Sequence, residues 1–473
     1  MVPSSKSKTT FLCEDCGHTS IKWEGRCPSC GGWNTYVEYR IPQPTKQSRG
    51  GMAQLDGGNL GPQALADQPV NEGHRLTFGM PESERVLGGG IVLGSLILLA
   101  GDPGIGKSTL LLQIAAGLAR EHRVLYISGE ESGGQVRLRA ERLDVADVGL
   151  FFLAETNLDQ ILTHLENNKP EVLIVDSVQT LYSESVLSTA GSVSQVRECT
   201  QLLMRYAKST KIPVLLAGHV TKDGNIAGPR ILEHMVDVVL YLEGETMSNL
   251  RLLHGIKNRF GATNDLALFD MSGDGLIEVK DPSAALLAER HKEISGSSVV
   301  VTLEGSRPLL AEVQALTNQS AFVPPRRSAN GTDLNRILMT TAVLSRRANL
   351  PLSNQDIMVN VAGGLKINEP AIDLAVALAM ASSYYDIPLP ANTVFVGEIG
   401  LNGEVRQVPQ LQRRLLEAAR HGFVRALVPY TNLNGMLDPF PDIEAVSVNS
   451  VREAITLALP KIGAHRKGVD RKV

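Results

Sequence analysis

Between residues 76 and 282 the chain alternates short apolar runs with longer segments of helical period. The runs SLILLAG, RVLYIS, VLIVDS, VLLAGHV and VVLYLEG are strand length. Several are apolar throughout, as strands buried on both faces of a parallel sheet must be. LLLQIAAGLAR, just after the first run, carries apolar residues at helical spacing. The alternation predicts an α/β region built on a doubly wound sheet. A second pattern starts near Ser297, where SSVVVTLEGSRPLLAEVQALT reads as two strands about a Gly-containing turn. Helices over Asp333–Ala348 and Ala371–Ser383 follow, then a strand VFVGEIG, a turn at Asn402-Gly403, a helix near Leu411–His421 and a strand ALVPY. This predicts a second α/β or α+β domain. The pattern thus divides the chain into a Cys-rich module (1–40), a Gly-, Gln- and Pro-rich linker (41–74), two domains (75–285 and 286–458) and a basic tail (459–473).

Composition narrows the class. The 473 residues suit two or three domains, and 43% hydrophobic with 20% charged residues is globular. A net charge of −4 excludes a polycation, so nucleic-acid binding has to come from local patches. Aromatics at 4% argue against a large base-stacking platform. The start, MVPSSKSKTT, lacks the apolar run of a secretion signal. No stretch reaches the roughly 20 apolar residues that span a bilayer. The expectation is a cytoplasmic protein with no membrane partner.

Four of the five cysteines fall inside 18 residues, as Cys13-x2-Cys16 and Cys27-x2-Cys30. Two such knuckles supply the paired thiolates of a tetrahedral four-cysteine site, a zinc finger, and Gly17, Gly31 and Gly32 ease the turns. With no open position, the site is expected to be structural: Zn²⁺, with rubredoxin-type iron as the alternative. Lys22, Trp23, Arg26 and Trp33 are candidates for contact with DNA or a partner protein, and the tryptophans equally for packing about the metal.

Gly101-Asp102-Pro103-Gly104-Ile105-Gly106-Lys107-Ser108, followed by Thr109, fits G-x-x-x-x-G-K-[ST] at every fixed position. An apolar strand precedes it and an amphipathic helix follows, the context a phosphate-binding loop requires. Its amides and the helix dipole attract phosphate oxygens; Lys107 is expected on the β/γ-phosphates of ATP and Ser108 on Mg²⁺. Asp176 ends the strand LIVD, where a carboxylate is expected to hold Mg²⁺ through water; a helix N-cap is the alternative that the phosphate loop disfavours. Glu130 and Glu131 end another strand; Glu130 is the favoured activator of the attacking water, and Glu131 is the alternative or a helix-start residue.

In order, these elements are followed by GHVTKDGNIAGPRILEH and then by KNRFG at 257–261. Over nearly the whole chain this closely resembles the bacterial RadA (also called Sms) DNA-repair ATPases, relatives of RecA and of hexameric replicative helicases. The resemblance implies a RecA-like core at 75–285. Lys257 and Arg259 would reach across a subunit boundary to a neighbour's γ-phosphate, and His219 would sense that phosphate. Loops 183–195 and 221–230, with Lys222 and Arg230, would face DNA in the channel of a ring, by expectation a hexamer. The implied activity is a DNA-dependent ATPase and helicase-like motor on single-stranded and branched DNA. It would act in branch migration, recombination and double-strand break repair beside a RecA-type recombinase.

Residues 297–455 resemble the proteolytic domain of Lon proteases, which use a Ser–Lys dyad. Here Ala371 stands at the serine position of Lys366-Ile-Asn-Glu-Pro-Ala-Ile-Asp373, and Gln412 best matches the lysine. Arg413 and Arg414 cannot replace it, because a guanidinium keeps its proton. An inactive protease fold is expected, and an ATP-dependent protease is the disfavoured alternative. Arg326, Arg327, Arg336, Arg346, Arg347 and Arg414 are its candidates for DNA phosphates. A filament-forming recombinase and a non-enzymatic DNA adaptor complete the alternatives.

Overall fold

In a computed structural model the described residues are 9–13, 19–40, 75–146, 148–219, 232–244, 249–263, 265–305, 307–433 and 442–460. Cys16, Lys222, Arg230, the linker 41–74 and the tail beyond residue 460 lie outside them. Two compact units divide the chain, Met1–Glu278 and Val279–Val473.

In the first unit, β1 (Thr9–Cys13), β2 (Thr19–Ser20) and β3 (Tyr36–Arg40) form a small sheet in the order β2-β1-β3. Further along, β4 (Arg75–Leu76) and β5 (Ile91–Val92) pair as a short ribbon around α1 (Pro81–Val86). The main sheet begins with β6 (Leu96–Gly101), β7 (Val124–Ser128), β8 (Phe151–Ala154), β9 (Val172–Asp176), β10 (Val214–His219) and β11 (Val238–Glu243). It continues through β12 (Leu250–Asn258), β13 (Leu266–Ser272) and β14 (Gly275–Glu278). The order is β14-β13-β12-β11-β6-β10-β9-β7-β8. The six strands from β11 to β8 are parallel, and β12 to β14 add an antiparallel meander that the apolar runs did not foretell.

Alternation along β6 explains why the sheet needs helices on both faces. Ile97 and Leu99 enter one core with Leu111, Ile114 and Leu118 of α2 (Lys107–Ala119) and Val136 of α3 (Gly133–Arg142). Leu96, Leu98 and Ala100 enter the other with Ile161 of α4 (Leu158–Asn168) and Leu203 of α5 (Val193–Thr210). The strand order reverses at β6, which lies between β10 and β11 rather than beside β7. That reversal opens a crevice at the carboxyl ends of the strands.

In the second unit α6 (Pro282–Leu287) leads into a four-stranded sheet. Its strands are β15 (Ser297–Glu304), β16 (Arg307–Gln319), β17 (Arg327–Asn330) and β18 (Gln355–Val361), in the order β15-β16-β18-β17. Between β17 and β18 runs α7 (Leu334–Arg347). Helix α8 (Asp373–Tyr385) is buried at every position from Asp373 to Ser382. It packs on β15 and β16. The segment read as one strand, VFVGEIG, is two: β19 (Thr393–Phe395) and β20 (Glu398–Ile399). Gly397 between them donates its N–H to Ala371 and accepts that of Leu374, so its backbone serves the start of α8 instead of a ladder. A hairpin partner β21 (Val405–Arg406), helix α9 (Leu411–Arg420) and parallel strands β22 (Arg425–Pro429) and β23 (Glu444–Val448) complete the layer.

Candidate active site

The phosphate loop joins β6 to α2. Gly101 has φ 154° and leaves no room for a side chain, since a Cβ there would lie 2.3 Å from the Leu242 carbonyl oxygen. Gly104, at φ 76°, supplies the left-handed turn at the tip. Lys107 is buried, and its ammonium donates to the carbonyls of Gly101 and Asp102, both at 2.9 Å. Burial pushes this lysine below its ordinary range, while the carboxylates of Asp176, Asp102 and Glu130 pull the other way. Desolvation outweighs these carboxylates, so the buried ammonium is not fully compensated and is suited to an anionic oxygen ligand.

Strand register assembles the rest. Gly101 on β6 is level with His219 on β10 and Leu242 on β11, and Ser128 on β7 is level with Asp176 on β9. The loop, His219, Asp176 and the Glu130 turn thus share the carboxyl edge of one sheet. Asp176 is buried, and its Oδ2 accepts the Tyr126 hydroxyl at 2.7 Å. Ser177 donates its hydroxyl to Glu130 Oε1 at 2.6 Å. Glu131 instead pairs with Arg139 on α3, and the cap of that helix is the next residue, Ser132. Tyr126 and Ser177 were not singled out from the sequence. One is an apolar-run residue and the other follows the strand, and only the register brings them to the acidic groups. Loop 183–192 is braced: the Gln195 amide donates to Ser183, Val186 and Ser188 carbonyls at 3.1, 2.9 and 3.1 Å. Gln195, expected in that loop, is a buried residue of α5.

KNRFG lies elsewhere. It ends β12, whose antiparallel course puts Asn258 opposite Val238, at the start of β11 and so at the amino edge of the sheet. Lys257 donates to the carbonyls of Glu233 (2.6 Å) and Val236 (2.8 Å). Its pKa is lowered, first by burial and then by Arg259. Arg259 is 57% exposed and its Nη1 lies 3.5 Å from Asp237, itself 4% exposed. Asp237 also takes Lys208 at 2.6 Å and the Leu96 amide at 3.0 Å, which ties the motif to the start of β6. Arg75 donates to the Phe260 carbonyl at 2.7 Å, and Gly261 packs against Gly88 so closely that a Cβ would meet its Cα at 3.0 Å.

In the cysteine module the sulfurs of Cys13, Cys27 and Cys30 lie within 4.8 Å of one another. Cys13 and Cys30 are 3.6 Å apart, close to the edge of a tetrahedron with metal–sulfur bonds of about 2.3 Å. The residues fit a thiolate-bound metal.

At the Lon-like position the second unit has no nucleophile. Ala371 is buried beside Glu369, which forms a bidentate pair with Arg414 at 2.7 Å on both arms. Arg414 also donates to Val301 (2.6 Å) and Pro409 (3.0 Å) carbonyls. With 0% exposure it is a core cation and not the DNA contact its charge suggested. Arg336 is likewise engaged by Asp373 through Nε at 3.0 Å and Nη2 at 2.5 Å. Arg326, Arg346 and Arg347 are exposed, and Arg327 is half-buried.

Fold and site define a P-loop ATPase that carries a thiolate metal ribbon and a Lon-like unit with alanine at the serine position. Family models match in three places: an AAA domain over residues 62–225, the rubredoxin metal binding domain over 11–38, and subunit ChlI of Mg-chelatase over 337–432. The chain belongs to the RadA family of DNA repair proteins. It is 47% identical over 456 residues to DNA repair protein RadA of Bacillus subtilis, covering 96% of this chain and 99% of that one. The protein of the same description from Streptococcus pyogenes serotype M6 is 49% identical over 451 residues, with 95% and 99% covered. That of Listeria monocytogenes is 48% identical over 458 residues, with 96% and 99% covered. Among solved structures, flagellar accessory protein FlaH from Methanocaldococcus jannaschii aligns over 43% of this chain and 98% of its own, at 16% identity and a TM-score of 0.36, too slight a likeness to carry an argument. Among the described residues no helix is long and apolar enough to cross a membrane.

Proposed function

We propose that this ATPase is a DNA motor whose hydrolysis is shared between neighbours in a ring, taken to be a hexamer. It acts in the cytoplasm on single-stranded and branched DNA and drives branch migration of recombination and double-strand-break intermediates beside a RecA-type recombinase. One observation carries the reading. Lys257 and Arg259 stand at the amino edge of the sheet, and the phosphate loop stands at the carboxyl edge. They are too far from their own loop to touch its nucleotide, whereas a neighbour's loop can meet them.

In this reading Lys107 and the loop amides hold the β- and γ-phosphates. Ser108 and Asp176 would hold Mg²⁺, whose charge would offset that of the phosphate oxygens. Glu130, oriented by Ser177, aligns the attacking water and takes its proton. Arg259 and Lys257 of the adjoining subunit stabilise the charge that develops in transfer. His219, level with Gly101, links the γ-phosphate to the segment holding Lys222 and Arg230, so that the hydrolytic state reaches the DNA. Cys13, Cys27 and Cys30, with Cys16 as the expected fourth ligand, would hold a structural Zn²⁺. A Lon-like peptidase is the weaker reading, because Ala371 has no nucleophile and the Arg414–Glu369 pair occupies the neighbouring core.

The test is ATP turnover with and without single-stranded DNA, beside branch migration on defined D-loops with and without a RecA-type recombinase. DNA-stimulated turnover and ATP-dependent migration are expected. Turnover indifferent to DNA contradicts the motor.

A further inference from the structure

The second unit carries an apolar tip that the motor reading does not use. Residues 320–326, Ser-Ala-Phe-Val-Pro-Pro-Arg, join β16 to β17. The tip is braced. Ser320 donates its amide to Asn354 at 2.9 Å and accepts the Phe322 amide on its hydroxyl at 3.0 Å. The Arg326 amide donates to Asp356 at 2.7 Å, and its carbonyl accepts from Ile357 at 2.9 Å. Pro324 and Pro325 restrict the backbone further and leave no amide unpaired. On this frame Val323 is 100% and Phe322 48% exposed. The Arg326 guanidinium stands 3.7 Å from the centroid of the Phe322 ring, covering one face and leaving the other to solvent. Ala321, Phe322, Val323 and Pro324 are exposed in succession, so the projection is contiguous and not a lone surface hydrophobe.

Its surroundings say what it contacts. Arg327 reaches the Leu352 carbonyl at 3.5 Å, and the chain arrives there from the end of α7, where Arg346 and Arg347 are exposed. The connection between, Ala-Asn-Leu-Pro-Leu-Ser-Asn at 348–354, has no charged side chain. Asp356, the carboxylate at the tip's base, is already engaged by Ser320 and the Arg326 amide and is held below the usual carboxylate range by them. The excess of arginine favours a polyanion over an apolar protein pocket. One ring makes no stacking platform, in keeping with the scarcity of aromatics. It does suit a single opened base step, where apolar wedges enter DNA.

We propose that Phe322 and Val323 form a wedge that enters the base stack at a DNA strand junction, with Arg326, Arg327, Arg346 and Arg347 on the flanking phosphates. This rests on the DNA-motor reading and names the element that senses the branch. Bases at a junction are already partly unpaired, so unstacking costs least there. The wedge therefore selects branched DNA by deformability and not by sequence.

The experiment uses full-length protein and a synthetic fork with 2-aminopurine next to the branch, or in mid-duplex as the comparison. Fluorescence reports unstacking, and anisotropy reports binding. Wild type is expected to brighten the branch label at least about twofold and leave the mid-duplex label dark. Phe322→Ala and Val323→Asp are expected to abolish the brightening and weaken fork binding about tenfold, the size of one lost base–aromatic stack. Phe322→Tyr keeps both. Both positions are exposed, so the melting curves of the variants serve as the control for folding. Fork binding without brightening, or wild-type brightening by Phe322→Ala, overturns the wedge and leaves the motor reading standing. Wild-type DNA responses from Phe322→Ala with loss of a protein partner also overturn it, and assign the tip to protein contact. Failure of wild type to bind either fork or single strand overturns the motor reading itself.

Discussion

Lys107 and Arg259 stand at opposite ends of β6. Lys107 is folded onto Gly101 at its carboxyl end, while Arg259 leans on Asp237, which holds the amide of Leu96 at its amino end. A strand of this length spans roughly 16 Å, beyond the reach of either side chain. Any chemistry that needs both has to take them from different chains. That converts a motif of one sequence into a statement about assembly.

Tyr126 holds Asp176 from the neighbouring strand. Removal of its hydroxyl by Tyr126→Phe keeps the packing and loosens the carboxylate that would hold Mg²⁺. The Mg²⁺ concentration for half-maximal ATP turnover is expected to rise about tenfold, the usual cost of losing a support for a metal ligand. An unchanged Mg²⁺ dependence would remove Asp176 from that role.

The chain's two tryptophans both lie in the cysteine module, so intrinsic tryptophan fluorescence reports that module alone. Trp23 donates its indole N–H to the Tyr36 carbonyl at 3.2 Å. Such a small module depends on its metal to fold. Both indoles are exposed, so their mobility is the readout: chelation, or Cys13→Ser, is expected to lower the tryptophan anisotropy and leave DNA-free ATP turnover in place. Unchanged anisotropy on complete metal removal would mean that the module holds itself together without metal.

Arg414 and Glu369 are partners in the core of the second unit. Glu369→Ala strands a buried guanidinium and is expected to cost about 3–5 kcal/mol in urea unfolding. Replacing both with Met is expected to recover most of that loss. Equal losses for the single and double variants would contradict the pairing as the reason.

His421 is pushed down by burial, but the Glu417 carbonyl and the Asp281 carboxylate outweigh this and hold it above the ordinary histidine range. Its Nδ1 lies 2.9 Å from that carbonyl and its Nε2 2.9 Å from Asp281. A raised folded-state pKa means that the stabilisation is complete below the unfolded value, about 6.5, and is lost as pH climbs through the folded one. The melting temperature of His421→Gln is expected to fall short of wild type most at acidic pH, with the gap closing on the alkaline side. A gap independent of pH would assign the loss to packing.

Five of the six parallel strands were legible because they are apolar at nearly every position, and the phosphate loop because each of its fixed residues has one job; β8, a short edge strand with exposed ends, was not read. β12 was not: LRLLHGIKN mixes Arg251, His254 and Lys257 into a strand with no clean alternation. The opposite placement of KNRFG and the phosphate loop was invisible for that reason. β17, RSAN, is a polar edge strand with no apolar signal. Arg414 read as a surface charge because its partner lies 45 residues earlier in sequence. Gly397 broke an apparent strand because its backbone was needed at the start of α8.

The central claim is that one active site draws on two chains, and mixed assemblies test it most directly. Lys107→Ala spoils the phosphate loop and Arg259→Ala the reaching arginine, so each alone is expected to hydrolyse ATP at least about a hundredfold more slowly. Mixed, some interfaces pair an intact loop from one variant with an intact Arg259 from the other. The account expects turnover to reappear in the mixture, greatest near equal amounts. Turnover that stays at the level of the separate variants at every ratio, in assemblies shown to have exchanged subunits, would contradict it.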